Sequence, residues 1–308
     1  MTVLEWMLES DPAIRWQVLR DLAGASDDVV AAERARVATE GWGARLLDRQ
    51  DEDGQWAGGA LFPAGSAGPG EDGQPWTATE PTLTMLRTFG ADPADERVRQ
   101  AVARAAVGAR WEYNDEPIFQ GEVEPCINGR TVTLGVYFGH DVDGIVERLV
   151  REQLADGGWN CEAENGSVRS SFDTTINVLE GLLAYERATG SDVEEVRRRA
   201  EEYLLERSLF RRKTTGEVIR PGYLQLSFPP RWHYDVLRGL EYFQTAGDPP
   251  DPRVKEAVEV LRSKQQPDGT WLLEYTHRGI VHFPLEEDGQ PSRWNTLRAQ
   301  RVLNWYES

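Results

Sequence analysis

Apolar residues recur at three- and four-residue intervals through most of this chain, in stretches that close on glycine. Ile14, Val18, Leu19 and Leu22 share that spacing after Ser10-Asp11-Pro12, where a capping residue and an early proline mark a helix start, and Gly24 ends the stretch. The same reading predicts a helix from Asp28 to Leu47 with a break at Gly41-Trp42-Gly43. A further helix covers Thr77 to Phe89, stopped by Gly90, and its partner starts at Asp92-Pro93 and runs through Val98, Val102 and Ala106 towards Trp111. The order then repeats: Pro125 to Phe138 and Val142 to Gln153, Phe172 to Ala188 and Val193 to Leu209, Trp232 to Thr245 and Val254 to Gln265, with Arg293 to Tyr306 last. Glycine follows the first helix of each pair at Gly139, Gly190 and Gly247, where the left-handed conformation ends helices. Sustained period-two alternation is absent from the sequence, so the expected fold class is all-α.

Two kinds of helix alternate in this reading. The helices near 14, 77, 126, 173, 233 and 294 are comparatively apolar, as in Val178-Leu179-Glu180-Gly181-Leu182-Leu183. Those between them carry one apolar stripe and many charges, as in Glu194-Glu195-Val196-Arg197-Arg198-Arg199, whose arginines read as a solvated face. Six enclosed helices alternating with about as many amphipathic ones suggest two concentric rings. Residues 57–75 are rich in Gly, Ala and Pro and lack periodicity, which predicts a long loop of the functional or mobile kind.

The strongest pattern is an internal repeat. Q-x-x-D-G-x-W occurs as Gln50 to Trp56, Gln153 to Trp159 and Gln265 to Trp271, each after an apolar pair: Leu46-Leu47, Leu149-Val150 and Val260-Leu261. Asp-Gly supplies a tight turn after a helix, the glutamine amide can bond open backbone groups of neighbouring helix ends, and the tryptophan covers the joint. The motif reads as a rivet between repeats, with tryptophans lining a ligand cavity as the alternative.

Composition narrows the function. Lys plus Arg is 34 against 52 Asp plus Glu, a net charge of −18, which argues against nucleic acid and anionic lipid partners. A hydrophobic fraction of 40% with 11 Trp supplies a core. Two cysteines, Cys126 and Cys161, do not make a disulfide framework. The opening residues lack a signal-peptide pattern and no apolar run reaches membrane-spanning length, so a cytoplasmic protein without stable membrane insertion is expected.

The repeat resembles the glutamine–tryptophan motif of the terpenoid cyclases, and from about Asp11 to Tyr306 the chain is similar to the terpenoid cyclase and protein prenyltransferase superfamily. The resemblance implies an (α/α)6 toroid of six inner and six outer helices, a single domain over residues 1–308, with ligand groups at the amino-terminal ends of inner helices. Those positions hold Thr79 and Glu80; Cys126 and Asn128; Phe172, Asp173 and Thr175; Trp232, His233 and Asp235; Arg293 and Trp294. Cyclases of this type protonate an alkene or epoxide with the central aspartate of D-x-D-D. That motif is missing here, and Asp141-Val142-Asp143-Gly144 reads instead as a helix cap with a first-turn acid. Prenyltransferases bind zinc through D-x-C and a histidine; Asp173 and His233 match two positions, Thr175 replaces the cysteine, and Cys126 could complete the set. Zinc is therefore a candidate cofactor for a prenyltransferase-like reading, while a cyclase needs none.

The candidate catalytic residues are accordingly Asp173, His233 and Asp235, and the candidate metal ligands Cys126, Asp173 and His233. The substrate-binding candidates are Trp76, Glu80, Phe172, Trp232, Tyr234 and Trp294, beside further aromatics Tyr113, Phe119, Phe228 and Phe283. Aromatic faces can hold a carbocation, but an apolar binding pocket or an ordinary core has the same composition. Each candidate also has a structural reading: Cys126 as a small buried residue, Asp173 as a helix cap, and His233 as a hydrogen-bonded core histidine. His277 and His282 are expected in a loop near the same barrel end. The expected ligand is small and apolar or isoprenoid, and the expected activity is cyclase-like or prenyltransferase-like. The alternative is a non-catalytic isoprenoid- or lipid-binding scaffold. A carbohydrate-active barrel would need paired carboxylates across a groove, and the repeat argues against it.

Overall fold

The computed structural model describes every residue except 67, 69 and 72, which include part of the predicted loop at 57–75. Helices are the dominant regular element of the described residues, with turns and loops between them; the only sheet among them is a two-residue pairing of β1 (Trp271–Leu272) with β2 (Pro291–Ser292). The fold class is all-α. Two compact units account for the chain: residues 1–123, 134–145 and 278–285 form one, and residues 124–133, 146–277 and 286–308 the other.

In the first unit α1 (Val3–Leu8), α2 (Pro12–Asp21), α3 (Asp27–Ala35) and α4 (Gly41–Leu47) precede α5 (Thr79–Phe89) and α6 (Glu96–Gly108). Asp11 starts two helices at once: its carboxylate accepts the Ala13 N–H of α2 at 2.9 Å and the Trp42 N–H of α4 at 2.8 Å. This explains why the predicted break falls earlier than Gly41-Trp42-Gly43. The helix stops through a 3₁₀ turn at 36–38, and those three residues open α4. Gly41, at φ 64°, has no room for a Cβ, which would lie 2.0 Å from Asp11 Oδ2. The loop after Trp56 is fastened by the Glu112 carboxylate, which accepts the Leu61 N–H at 2.8 Å and the Phe62 N–H at 3.0 Å.

α7 (Pro125–Phe138) contributes residues to both units, and α8 (Asp143–Arg151) starts where Asp141 accepts the Asp143 N–H at 3.0 Å, the capping role read from the sequence. The second unit continues with α9 (Phe172–Thr189), α10 (Glu194–Leu205), α11 (Val236–Ala246), α12 (Lys255–Ser263) and α13 (Arg293–Glu307). α7 and α9 touch backbone to backbone: a Cβ on Gly129 would lie 2.5 Å from the Asn177 oxygen, and one on Gly181 2.5 Å from the Gly129 oxygen. α9 buries most of its length and α13 its first half, Trp294 to Ala299, whereas α12 buries only the stripe Ala257, Val258 and Leu261. The predicted helix from Trp232 begins at Val236 instead, because Asp235 is its cap and the preceding residues turn after Pro229-Pro230.

Arg197 departs from the solvated face expected of it. It is 5% exposed, with its Nε 2.7 Å from Glu186 Oε2 and its Nη1 against Glu201, which also accepts the Tyr242 hydroxyl at 2.7 Å. Arg198, one residue on, keeps 44% of its side chain in solvent. Only an ion pair with several hydrogen bonds makes such burial tolerable.

The three repeat motifs make one set of bonds. Trp56, Trp159 and Trp271 are each 0% exposed. Their indole Nε1 groups donate to the carbonyls of Leu46, Leu149 and Leu261, always at 2.8 Å. Gln50 donates to the Gly54 and Ala101 carbonyls at 2.8 and 2.7 Å, and Gln153 to those of Gly157 and Val196 at 2.7 Å each. Gln265 makes only the first of these, to Gly269 at 3.5 Å. Each motif thus ties the end of one helix to its own turn, and the first two also reach the next amphipathic helix. The rivet reading of the motif holds for these contacts, and the indoles are enclosed.

Candidate functional site

The predicted residues divide between the units. Trp76 and Glu80 belong to the first. Trp76 is buried with its indole N–H donating to the Arg278 carbonyl at 3.0 Å, and Glu80 is wholly buried and accepts the Thr84 hydroxyl at 2.8 Å. His282 also lies there, 2.9 Å from the Thr82 hydroxyl, while His277 belongs to the second unit. Tyr113 is 76% exposed and joins no aromatic group among the described residues, so it drops out of the predicted lining.

In the second unit the amino-terminal turn of α9 gathers aromatic rings. Phe172 meets Tyr203, Tyr223 and Tyr234 with centroids 5.5, 5.4 and 4.9 Å away. Ser171, not Asp173, caps this helix, its hydroxyl accepting the Thr174 N–H at 3.0 Å. Asp173 instead accepts the Tyr234 N–H on Oδ1 at 2.8 Å and the Tyr223 hydroxyl on Oδ2 at 3.1 Å, with Arg220 3.4 Å away. Burial raises the Tyr223 phenol, with the Asp173 charge adding to it, and burial pushes Tyr203 up to about 12, so these rings act as neutral donors.

Asp235 is buried and accepts from three donors: the Arg238 N–H at 2.8 Å, and the Ser227 N–H and hydroxyl at 3.2 and 2.6 Å. Beneath it Arg238 reaches Glu180 at 2.8 Å and Asn177 at 2.9 Å, and on α13 Arg298 repeats the arrangement with Glu241 at 2.7 Å and Asn295 at 3.0 Å. These bonds make Asp235 the cap of α11 and its tie to Ser227.

Just before α11 the rings stand face to face. Trp232 lies 3.6 Å from His233, His233 lies 3.8 Å from His277 at an interplanar angle of 9°, and Tyr275 meets His277 edge-on at 5.1 Å. Trp232, His233 and His277 are half-buried, and His277 Nε2 has no hydrogen-bond partner. Burial pushes His233 down to about 3, helped by the neighbouring His277, and burial pushes His277 down to about 4. Both imidazoles are therefore neutral near pH 7. A second stacked pair, Phe228 and Trp294, lies at 4.5 Å and 12°.

Sequence reasoning passed over Glu286. Its carboxylate accepts the Ser292 hydroxyl at 2.5 Å and the N–H groups of Arg293 and Trp294 at 2.7 and 3.3 Å, at the start of α13. Burial raises its pKa despite those donors. Glu286-Glu287-Asp288 looks like an exposed acidic loop in sequence, and only the seven-residue reach of Glu286 forward to Arg293 shows otherwise.

The predicted metal ligands do not converge. Both oxygens of Asp173 already take donors, His233 is held in a ring stack, and Cys126 packs on Cys161 with the sulfurs 2.8 Å apart. Among the described residues the one group whose ligand atoms lie within 4.8 Å of one another is Glu124, Cys126 and Cys161, without Asp173 or His233. Their two sulfurs stand closer than the about 3.8 Å that separates two thiolates on one zinc. No helix among the described residues is long and apolar enough to cross a membrane.

No protein-family model matches the chain, and neither does any curated protein. Among solved structures the chain is similar to the type II terpene cyclase MstE from Scytonema, with 17% identity, a TM-score of 0.44, and coverage of 96% of this chain and 87% of that one. It is also similar to a variant of that cyclase in complex with its substrate, geranylgeranyl dihydroxybenzoate, with 16% identity, a TM-score of 0.43, and coverage of 95% and 85%.

Proposed function

We propose that the chain is a single terpenoid-cyclase-like α-α toroid that binds an isoprenoid or similarly apolar substrate at the amino-terminal ends of α9, α11 and α13 and rearranges it through a cation. The observation that carries this reading is the half-buried stack of Trp232, His233 and His277, whose imidazoles are neutral and in which the buried His277 Nε2 has no hydrogen-bond partner. Flat aromatic faces attract a cation by about 0.5–2 kcal/mol each, and a neutral imidazole would accept the proton that a cation sheds. Glu286, raised by burial beside the Phe228–Trp294 pair, is the proposed proton donor. Asp173 is a positioning residue in this scheme, holding Tyr223 and the Tyr234 backbone. Protonation and deprotonation balance, so the net reaction is an isomerisation and the scheme calls on no cofactor.

The second reading, a binding module without chemistry, is favoured by the donors that already occupy both oxygens of Asp173 and of Asp235. One experiment separates the two. Organic extracts of the purified protein are analysed by mass spectrometry, and the protein is then incubated with linear isoprenoids. A product of unchanged mass and altered retention, lost in Glu286→Gln while binding persists, supports the cyclase. Bound but unchanged isoprenoid supports the module. If nothing apolar copurifies and no linear isoprenoid perturbs tryptophan fluorescence, both readings are wrong.

A further inference from the structure

Cys126 and Cys161 stand 35 residues apart in sequence, yet the first turn of α7 and the 3₁₀ turn at 161–163 bring their sulfurs to 2.8 Å. Cys126 is buried and its thiol also donates to Glu124 Oε2 at 3.4 Å, whereas Cys161 is half-exposed. Two sulfurs this close are nearer than the separation an ion would impose and need only a small further approach to bond.

We propose that Cys126 and Cys161 form a reversible dithiol–disulfide site whose reaction partner is a small-molecule disulfide. Cys161, the accessible sulfur, attacks one sulfur of the small disulfide, breaking its S–S bond and releasing one thiol. A mixed disulfide is left on Cys161. Cys126 then attacks the Cys161 sulfur, forms the protein disulfide and expels the second small thiol. The two protons of the cysteine thiols end on the two released thiols; the protein pair is oxidised and the small disulfide reduced. The bond from Cys161, together with burial, raises the Cys126 thiol well above its ordinary range, which suits it to act second, once its neighbour has been activated.

The bond would bear on the candidate site. Cys161 Sγ lies 3.3 Å from the Thr174 hydroxyl, which in turn takes the Ser171 hydroxyl at 2.8 Å in the cap of α9. Oxidation of Cys161, two positions past the rivet residue Trp159, therefore ties the start of α7 to the residues that set Phe172 and Asp173. The site stands on the sulfur geometry alone and is independent of the substrate reading.

The test uses the full chain, incubated with oxidised glutathione, quenched with an alkylating agent and digested for peptide mass spectrometry. The expected result is a linked Cys126–Cys161 peptide pair lacking two hydrogens, restored to two alkylated thiols by dithiothreitol. In Cys126→Ser the glutathione adduct on Cys161 should accumulate, because the resolving sulfur is gone. The proposal is overturned if both thiols of the unaltered protein remain alkylatable under excess disulfide, if each is glutathionylated without linkage, or if the purified protein holds one equivalent of zinc that blocks oxidation.

Discussion

The backbone N–H of Trp159 donates to the hydroxyl of Thr175 at 3.1 Å, and this bond recurs in every repeat, from Trp56 to Thr79 at 3.1 Å and from Trp271 to Thr296 at 3.0 Å. Each threonine is wholly buried in the first turns of the helix that follows its motif. The rivet therefore has a third part besides glutamine and tryptophan: a threonine that fixes where the next helix begins. Thr175→Val keeps the shape and removes the acceptor, leaving the Trp159 N–H buried without it. The expected loss is about 1–3 kcal/mol, read as a lowered denaturation midpoint, and an unchanged midpoint would show the bond to be dispensable.

Gly157 tests the turn. Its φ of 101° is costly for any residue with a side chain, and a Cβ there would lie 2.5 Å from the Arg199 carbonyl oxygen. Gly157→Ala should destabilise by more than the roughly 1 kcal/mol that an exposed mid-helix glycine exchange involves. Gly144→Ala, where a Cβ meets nothing within 4 Å, serves as the control and should leave the midpoint unchanged or raise it.

Adjacent arginines should behave oppositely. Removing Arg197 takes the enclosed partner from Glu186 and from buried Glu201, leaving Glu201 only the more exposed Arg198 at 3.1 Å, so Arg197→Leu is expected to cost about 3–5 kcal/mol. Arg198→Ala removes a solvated pair with Asp248 and the more exposed of the two arginines on Glu201, and should cost clearly less, about 1 kcal/mol. Equal effects in chemical denaturation would mean that Arg197 is not enclosed as described.

What the sequence made legible was what repeats locally. Helix stops at Gly90, Gly190 and Gly247 were readable because each needs a left-handed residue, and the motif was readable because its seven positions recur at fixed spacing and its glutamine bonds the glycine four residues on. Partners remote in sequence were not. Nothing near Arg197 announces Tyr242, and nothing near Asp235 shows that Ser227, on the far side of two prolines, will fill its second oxygen. The two cysteines are too few for a disulfide framework and only Cys126 stands out in sequence, as a metal-ligand candidate, although Cys126 opens a helix and Cys161 lies two residues past a rivet tryptophan in the neighbouring repeat. That placement was the available signal.

The stacked histidines predict a pH dependence with a defined sign. Their folded pKa values, about 3 for His233 and about 4 for His277, lie below the ordinary 6.5. The unfolded chain then binds more protons than the folded one wherever pH falls between those limits. Stability from this pair is fully present above pH 6.5 and drains as the solution is acidified towards the folded values, where the loss levels off. The slope is about 1.4 kcal/mol per pH unit for each histidine. Denaturation midpoints at about pH 7, 6 and 5 measure it, since ordinary carboxylates contribute mostly below that range. A double variant, His233→Phe with His277→Phe, keeps flat rings in the stack and removes both protonation sites, so its stability should change less between those pH values. An equally steep decline in the variant would place the acid sensitivity elsewhere and would mean that the imidazoles are not held neutral by their burial.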